Sequence, residues 1–153
     1  MGILKGFPQK VQEFLLEYFG FPVAVEKLKG IKADGGCHRI KFSNASLIVK
    51  QMAEPQEYLF YNECARFLQE FKKHIPSLYY SYRKEDYWIV IEDVGNLLPR
   101  ERWYADEDLL EALFKFHSET WGKGMPLRNH YCPAWKDELT YLVLELMPDK
   151  ISN

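Results

Sequence analysis

The spacing of hydrophobic positions changes period several times along the chain. After Pro8, the residues Val11, Phe14, Leu15, Tyr18 and Phe19 recur at helical spacing, and Gly20 ends the run. This predicts an amphipathic N-terminal helix whose apolar side has to cover something. From Phe21 the period shortens. Val23–Leu28 alternates as a strand does, and the turn-prone stretch Gly30-Ile31-Lys32-Ala33-Asp34-Gly35-Gly36 follows. His38–Phe42 reads as the returning strand, Ser43-Asn44-Ala45 as a second turn and Ser46–Gln51 as a third strand, so a three-stranded antiparallel meander is the economical reading.

The period then lengthens again. Glu54–Phe71 is predicted as a helix with Phe60, Cys64, Phe67, Leu68 and Phe71 on its apolar stripe and Tyr61 beside it. Pro76 prevents its continuation. Leu78–Tyr82 and Tyr87–Ile91 are two more strands around the turn Arg83-Lys84-Glu85-Asp86, and the unbroken Trp88-Ile89-Val90-Ile91 predicts burial on both faces. Beyond Gly95 the strand pattern stops. A helix capped by Asp106 or Asp108 runs to about Thr120, with Leu109, Leu110, Leu113 and His117 on one face, and a last helix spans roughly Ala134–Met147. The predicted class is α+β: a five-stranded antiparallel sheet with one packed helix crossing between strands three and four, preceded by a helix and followed by two. This divides the chain into an N-terminal helix (1–20), a sheet lobe (21–95) and a connector with helices (96–153).

Composition narrows the picture. The chain has 153 residues, 47% hydrophobic and 27% charged, with ten Tyr, ten Phe and four Trp. That supports a folded core and excludes a disordered chain. Twenty Lys and Arg against 22 Asp and Glu give a net charge of −2, which argues against nucleic acid as a partner. The three cysteines, Cys37, Cys64 and Cys132, are odd in number and form no CxxC, so a reducing cytoplasm is the expected setting. No apolar run approaches the roughly 20 residues that span a bilayer, so no membrane is expected as a partner. His130 and Cys132 lie two apart and Cys37 adjoins His38, but spacing supplies no second ligand pair, and no metal site is expected.

Two residues carry candidate chemistry. Lys50 closes an apolar strand and points the same way as Ile48; a lysine there commonly snorkels to water. Glu57 stands on the stripe of the following helix, since Phe60, Tyr61, Cys64, Phe67, Leu68 and Phe71 lie 3, 4, 7, 10, 11 and 14 positions on. A carboxylate on that side needs a partner, unless as a first-turn acid it reaches water near the helix dipole. Together, a strand-end lysine and an inward helix glutamate are the arrangement by which kinase-type sites hold phosphate oxygens. Upstream, Asp34-Gly35-Gly36-Cys37-His38 is either an ordinary glycine turn or a loop whose backbone N–H groups approach phosphate. Downstream, Ile89-Val90-Ile91-Glu92-Asp93-Val94-Gly95 leads a buried strand into a connector that offers backbone groups to a flat base, although Glu92 and Asp93 equally read as solvated strand-end acids.

These segments in order resemble the aminoglycoside phosphotransferase/choline kinase-like family. The resemblance rests on the strand-loop-strand with Gly35-Gly36, LIVK ending at Lys50, EYLFYNECARFL from Glu57, IPSLYYSY from Ile75, VIEDVG from Val90 and LLEALFKFHSETW from Leu109. It covers about Val23–Trp121, the protein kinase-like N-terminal lobe and the start of the helical lobe. It implies ATP, bound with Mg²⁺, as cofactor. Lys50 would contact the α/β-phosphates with Glu57 anchoring it, and Gly35, Gly36, Cys37 and His38 would cover the phosphates. Val90, Ile91, Glu92, Asp93 and Val94 would form the hinge around adenine, and Ile48 one wall of its pocket. The implied acceptors are small hydroxylated molecules. The family's H-G-D-x-x-x-x-N catalytic segment and later D-x-D metal motif are absent: the four histidines, His38, His74, His117 and His130, are followed by Arg, Ile, Ser and Tyr. A catalytic base and metal ligands are therefore not expected in this chain, which alone should be inactive in transfer. A small-molecule acceptor is expected only where a further C-terminal lobe is supplied, and apolar helix faces left without it invite self-association. The alternative readings are a non-catalytic binding or interaction module of kinase-like fold, and an unrelated α+β ligand-binding domain with structural Lys50 and Glu57.

Overall fold

Pro8 sets the start of the first helix. Its carbonyl accepts from the N–H groups of Val11 and Gln12 at 3.0 Å, and α1 (Gln9–Phe19) follows in the computed structural model, which describes residues 2–28, 36–95 and 106–120. Gly35, the connector 96–105 and the segment from 121 onward, with the expected last helix, His130 and Cys132, lie outside the described residues.

Five strands form one antiparallel sheet: β1 (Ala24–Lys27), β2 (Gly36–Lys41), β3 (Ser46–Met52), β4 (Leu78–Arg83) and β5 (Tyr87–Glu92), in the order β1-β2-β3-β5-β4. The expected α+β class and five-stranded antiparallel sheet are thus present. The chain crosses between β3 and β4 through a helical segment, which lets β5 pair with β3 and leaves β4 at an edge.

Side chains on successive strand residues point to opposite faces, and the two faces differ. On one, Val11 and Leu15 of α1 are fully buried and cluster with Ile40, Leu47, Val49, Trp88 and Val90, with Leu4 and Phe7 joining from the chain before the helix. This is what the amphipathic N-terminal helix covers. Burying each such side chain contributes about 1.5–3 kcal/mol. On the other face a smaller buried group, Ile48, Ile89 and Ile91, is rimmed by partly exposed Cys37, Met52, Tyr58 and Tyr61. Trp88–Ile91 is therefore buried on both sides, as its unbroken apolar run predicts.

The crossing helix differs from the expected continuous Glu54–Phe71. A short α2 (Gln56–Leu59) widens into a π turn at Phe60–Cys64, tightens to 3₁₀ at Ala65–Phe67 and stops at Leu68, whose ψ of 96° is extended. Two tertiary interactions override helical propensity. Asn62 donates its amide to the Tyr58 carbonyl (2.8 Å) and accepts from Ser81 Oγ on β4 (2.8 Å). It thereby occupies the carbonyl that regular i→i−4 bonding would use. Beyond Leu68, the N–H groups of Gln69, Glu70 and Phe71 all donate to the Glu119 carboxylate at 2.8–2.9 Å. As a result Cys64 and Leu68 remain buried, while Phe67 of the expected stripe is exposed.

Glu119 belongs to α3 (Glu107–Thr120). Of the two candidate caps, Asp106 serves: its Oδ1 accepts from the Asp108 N–H at 3.1 Å. The face expected to pack, Leu109, Leu110, Leu113 and His117, is exposed among the described residues. Phe116 instead meets Phe71 with ring centroids 5.0 Å apart. The choice follows from Glu119, three positions on, whose carboxylate orients that side of α3 toward the chain at 69–71.

Candidate functional site

The face opposite α1 brings Lys50 and Glu57 together. Lys50 lies between Cys37 and Ile89 across the sheet, one step along its face from Ile48. β3 ends at Met52, and α2 begins four residues later with Glu57 in its first turn. Glu57 is thus both a first-turn acid and an inward one. Its Oε1 accepts from Lys50 Nζ at 2.6 Å, with the two side chains 30% (Lys50) and 37% (Glu57) exposed. An ammonium offers three donors, so a lysine oriented by one carboxylate and open to solvent can also hold an anionic oxygen. Two neighbours stay uncharged. Burial pushes the Cys37 thiol up against the opposing field of Lys50, which makes it a poor nucleophile at neutral pH. Burial, and then the Glu57 charge, push the Tyr61 phenol up to about 12.

Beside the ion pair lies the apolar floor. Ile48 faces Ile91 on one side and Arg39 on the other. Together with Ile89 this gives a strip of branched aliphatics suited to a flat apolar group, and Ile48, the expected adenine wall, lies at its centre. The hinge expectation divides by face. Ile91 lies on the strip, whereas the Val90 side chain is buried against α1 on the other face. Glu92 is a half-buried strand-end acid with a backbone partner: its N–H donates to Ser77 O at 2.9 Å and its carboxylate accepts from Ser77 N–H at 3.1 Å. Val94 is exposed.

Of the residues expected to cover the phosphates, Gly36, Cys37 and His38 lie in β2. Cys37 faces Lys50, but His38 pairs with Val49 on the α1 face and its ring meets Phe7 edge-on at 5.2 Å. Strand alternation forces this: adjacent residues on β2 cannot both face Lys50. Gly36 has a packing reason to be glycine, since a Cβ there would lie 2.8 Å from Gln51 Cβ. Close strand approach at this pair accounts for it without a ligand.

Asp93 is not a solvated acid. Its Oδ2 accepts from Ser46 Oγ at 2.6 Å, its Oδ1 accepts from Arg39 Nη2 at 3.1 Å and from the Gly95 N–H at 3.0 Å, and Arg39 Nη2 also donates to Gly95 O at 3.0 Å. Arg39 Nε stands 2.7 Å from Oδ2, a charge contact without hydrogen-bond alignment. Burial by itself would raise the Asp93 carboxyl, but the bonds from Ser46, Arg39 and Gly95 together with the Arg39 charge hold it below its ordinary value. The Asp93 side chain is 7% exposed and that of Arg39 19%. Sequence reasoning missed Arg39 and Ser46. The available signal was weak: both lie on the Ile48 face by alternation, but no local spacing links residue 39 to residue 93.

Among the described residues no group of three or more His, Cys, Asp or Glu is placed to hold a metal ion, and no helix is long and apolar enough to cross a membrane. No family model matches the chain. No curated protein matches it. Among solved structures, a protein from Haemophilus somnus 129PT described as a putative fructosamine-3-kinase is similar over 70% of this chain and 38% of its own, at 18% identity and a TM-score of 0.47. The chain therefore spans well under two thirds of that protein's length.

Proposed function

We propose that this chain is a nucleotide-binding lobe of kinase-like type. More particularly, we read it as the ATP-binding part of a small-molecule phosphotransferase resembling the aminoglycoside phosphotransferases. The observation that carries this reading is the 2.6 Å Lys50–Glu57 pair, open to solvent, at the edge of the Ile48–Ile91 strip. A nucleotide is a flat, largely apolar base joined to a polyanion, and this face offers a counterpart to each part. Lys50 would hold phosphate oxygens, Glu57 would orient Lys50, Ile48 and Ile91 would contact the base, and the backbone near Asp93 would read its edge. ATP would supply the transferable phosphoryl group and Mg²⁺ would neutralise its oxygens. The described residues provide the lysine and the apolar wall but no metal-ligand cluster, so any Mg²⁺ contact would come with the nucleotide or from elsewhere. The parent reaction is transfer of the γ-phosphoryl group to a hydroxyl of a small molecule, with the acceptor met by a further lobe.

Calorimetry with ATP·Mg²⁺ tests the reading. Wild-type chain is expected to bind, and Lys50→Ala to weaken binding by at least about tenfold, the scale of one charge-assisted hydrogen bond. Absence of binding to well-folded wild type, or unchanged binding by Lys50→Ala, would overturn it. A non-catalytic binding module of the same fold is favoured if ATP binds and incubation of the chain with small hydroxylated acceptors transfers no phosphate.

A further inference from the structure

The connector after β5 has a tether that the nucleotide reading does not require. Glu92 makes the last backbone bond to the β4 side, through Ser77. Beyond it, Gly95 turns the chain at a φ of +85°, a region open to glycine. The contacts that hold residues 93–95 come from strands β2 and β3. The Arg39 guanidinium bridges the Asp93 carboxylate and the Gly95 carbonyl, and Ser46 Oγ donates to the same carboxylate. Arg39 lies directly across from Ile48, the residue at the centre of the apolar strip. One side chain therefore borders the strip and sets the course of the connector beside it.

We propose that Arg39, through Asp93, is a positioning residue for the adenine end of the site. It fixes the backbone that reads the base edge, while Lys50 acts separately at the phosphate end. This rests on the nucleotide reading above. It also removes two residues from direct ligand contact. The Asp93 carboxylate is fully engaged and does not bind ribose or metal. The Gly95 carbonyl accepts from Arg39 and the Glu92 N–H donates to Ser77, which assigns base recognition to the backbone of 93–94. An arginine suits the task because its rigid planar fork holds a carboxylate and a carbonyl in fixed geometry, which a lysine ammonium on a flexible stem does less well.

The test separates the two ends with two probes: adenosine, which has no phosphate, and inorganic tripolyphosphate, which has no base. Binding of each to the full chain is measured for wild type, Arg39→Gln, Arg39→Lys, Asp93→Asn and the Arg39→Gln/Asp93→Asn double variant. Thermal melts confirm that each is folded. The expectation is a loss of about tenfold in adenosine affinity for Arg39→Gln and Asp93→Asn. Partial recovery is expected with Arg39→Lys, no further loss in the double variant, and tripolyphosphate affinity within about twofold of wild type throughout. A merely structural role would weaken both probes alike, and that outcome would overturn the proposal, as would unchanged adenosine affinity in a folded Arg39→Gln. Wild type that binds tripolyphosphate but not adenosine also overturns it while leaving the Lys50 site standing. Wild type that binds neither overturns the nucleotide reading itself.

Discussion

Two ion pairs stand at the two ends of one apolar strip and differ in almost every respect that matters. Lys50–Glu57 joins neighbours in sequence, leaves about a third of each side chain in solvent and is a single 2.6 Å bond. Arg39–Asp93 joins residues 54 apart, is 19% and 7% exposed and is cross-braced by Ser46 and Gly95. Their attachment points on β3, opposite Ile48 and at residue 50, lie about 7 Å apart along the strand. An exposed, singly bonded pair adds little to stability but keeps donors for a ligand. A largely enclosed one whose carboxylate accepts from several donors is costly to break, and that carboxylate has little left to offer. The same chemistry thus leaves donors open at one end, where we propose that a nucleotide binds, and braces the fold at the other.

Removing each acid breaks this comparison most directly. Asp93→Ala strands Ser46, the Gly95 N–H and the Arg39 fork, and is expected to destabilise the chain by about 1–3 kcal/mol. Glu57→Ala is expected to cost less than about 1 kcal/mol. Urea unfolding measures both, and equal losses would erase the distinction.

Acid titration probes the next largest effect. The folded Asp93 carboxyl is held below its ordinary value of 3.8. Its contribution to stability is therefore complete above about pH 5 and is lost as pH falls through 3.8 toward the lower folded value. Asn at this position does not titrate. The stability gap between wild type and Asp93→Asn should be constant from neutral pH down to about 5 and narrow below 4, as read from urea midpoints across that range. A gap that persists unchanged at pH 3 would show that the carboxylate's ionisation is irrelevant.

The contrast also explains what was legible from sequence. Lys50 and Glu57 could be paired on paper because a strand end and a following helix bring residues seven apart into reach, and the helix stripe points the acid inward. The strand pattern was legible for the same reason: alternation and turn residues are local signals. Asp93 could not be paired, because its partner arrives through the order of strands in the sheet, which places β3 between β2 and β5. The crossing helix departs from its sequence pattern past Leu68 for a related cause. Its periodicity continues to Phe71, but the backbone N–H groups of residues 69–71 are claimed by Glu119 from 48 to 50 positions away. The face of α3 departs from its pattern likewise, since Leu109, Leu110 and Leu113 make the stronger apolar stripe while Phe116 and Glu119 make the contacts. Local pattern finds elements and short-range pairs, and distant polar anchors correct where the elements end and which side they present.

Salt gives the finest discrimination between the two pairs. Raising ionic strength from about 0.05 M to about 0.5 M shortens the Debye length from roughly 14 Å to roughly 4 Å. Screening acts through solvent, so it reaches Lys50 and Glu57 and is largely kept from Asp93. Double-mutant cycles measure each coupling: Lys50→Met with Glu57→Gln, and Arg39→Gln with Asp93→Asn. The Lys50–Glu57 coupling is expected to be about 0.5 kcal/mol at low salt and near zero at high salt. The Arg39–Asp93 coupling is expected to keep most of its low-salt value, because hydrogen bonding and burial, not long-range attraction, make up most of it. If both couplings fall in proportion, solvent reaches Asp93 as freely as it reaches Glu57. The division of labour between a binding pair and an architectural pair would then fail on its own physical premise.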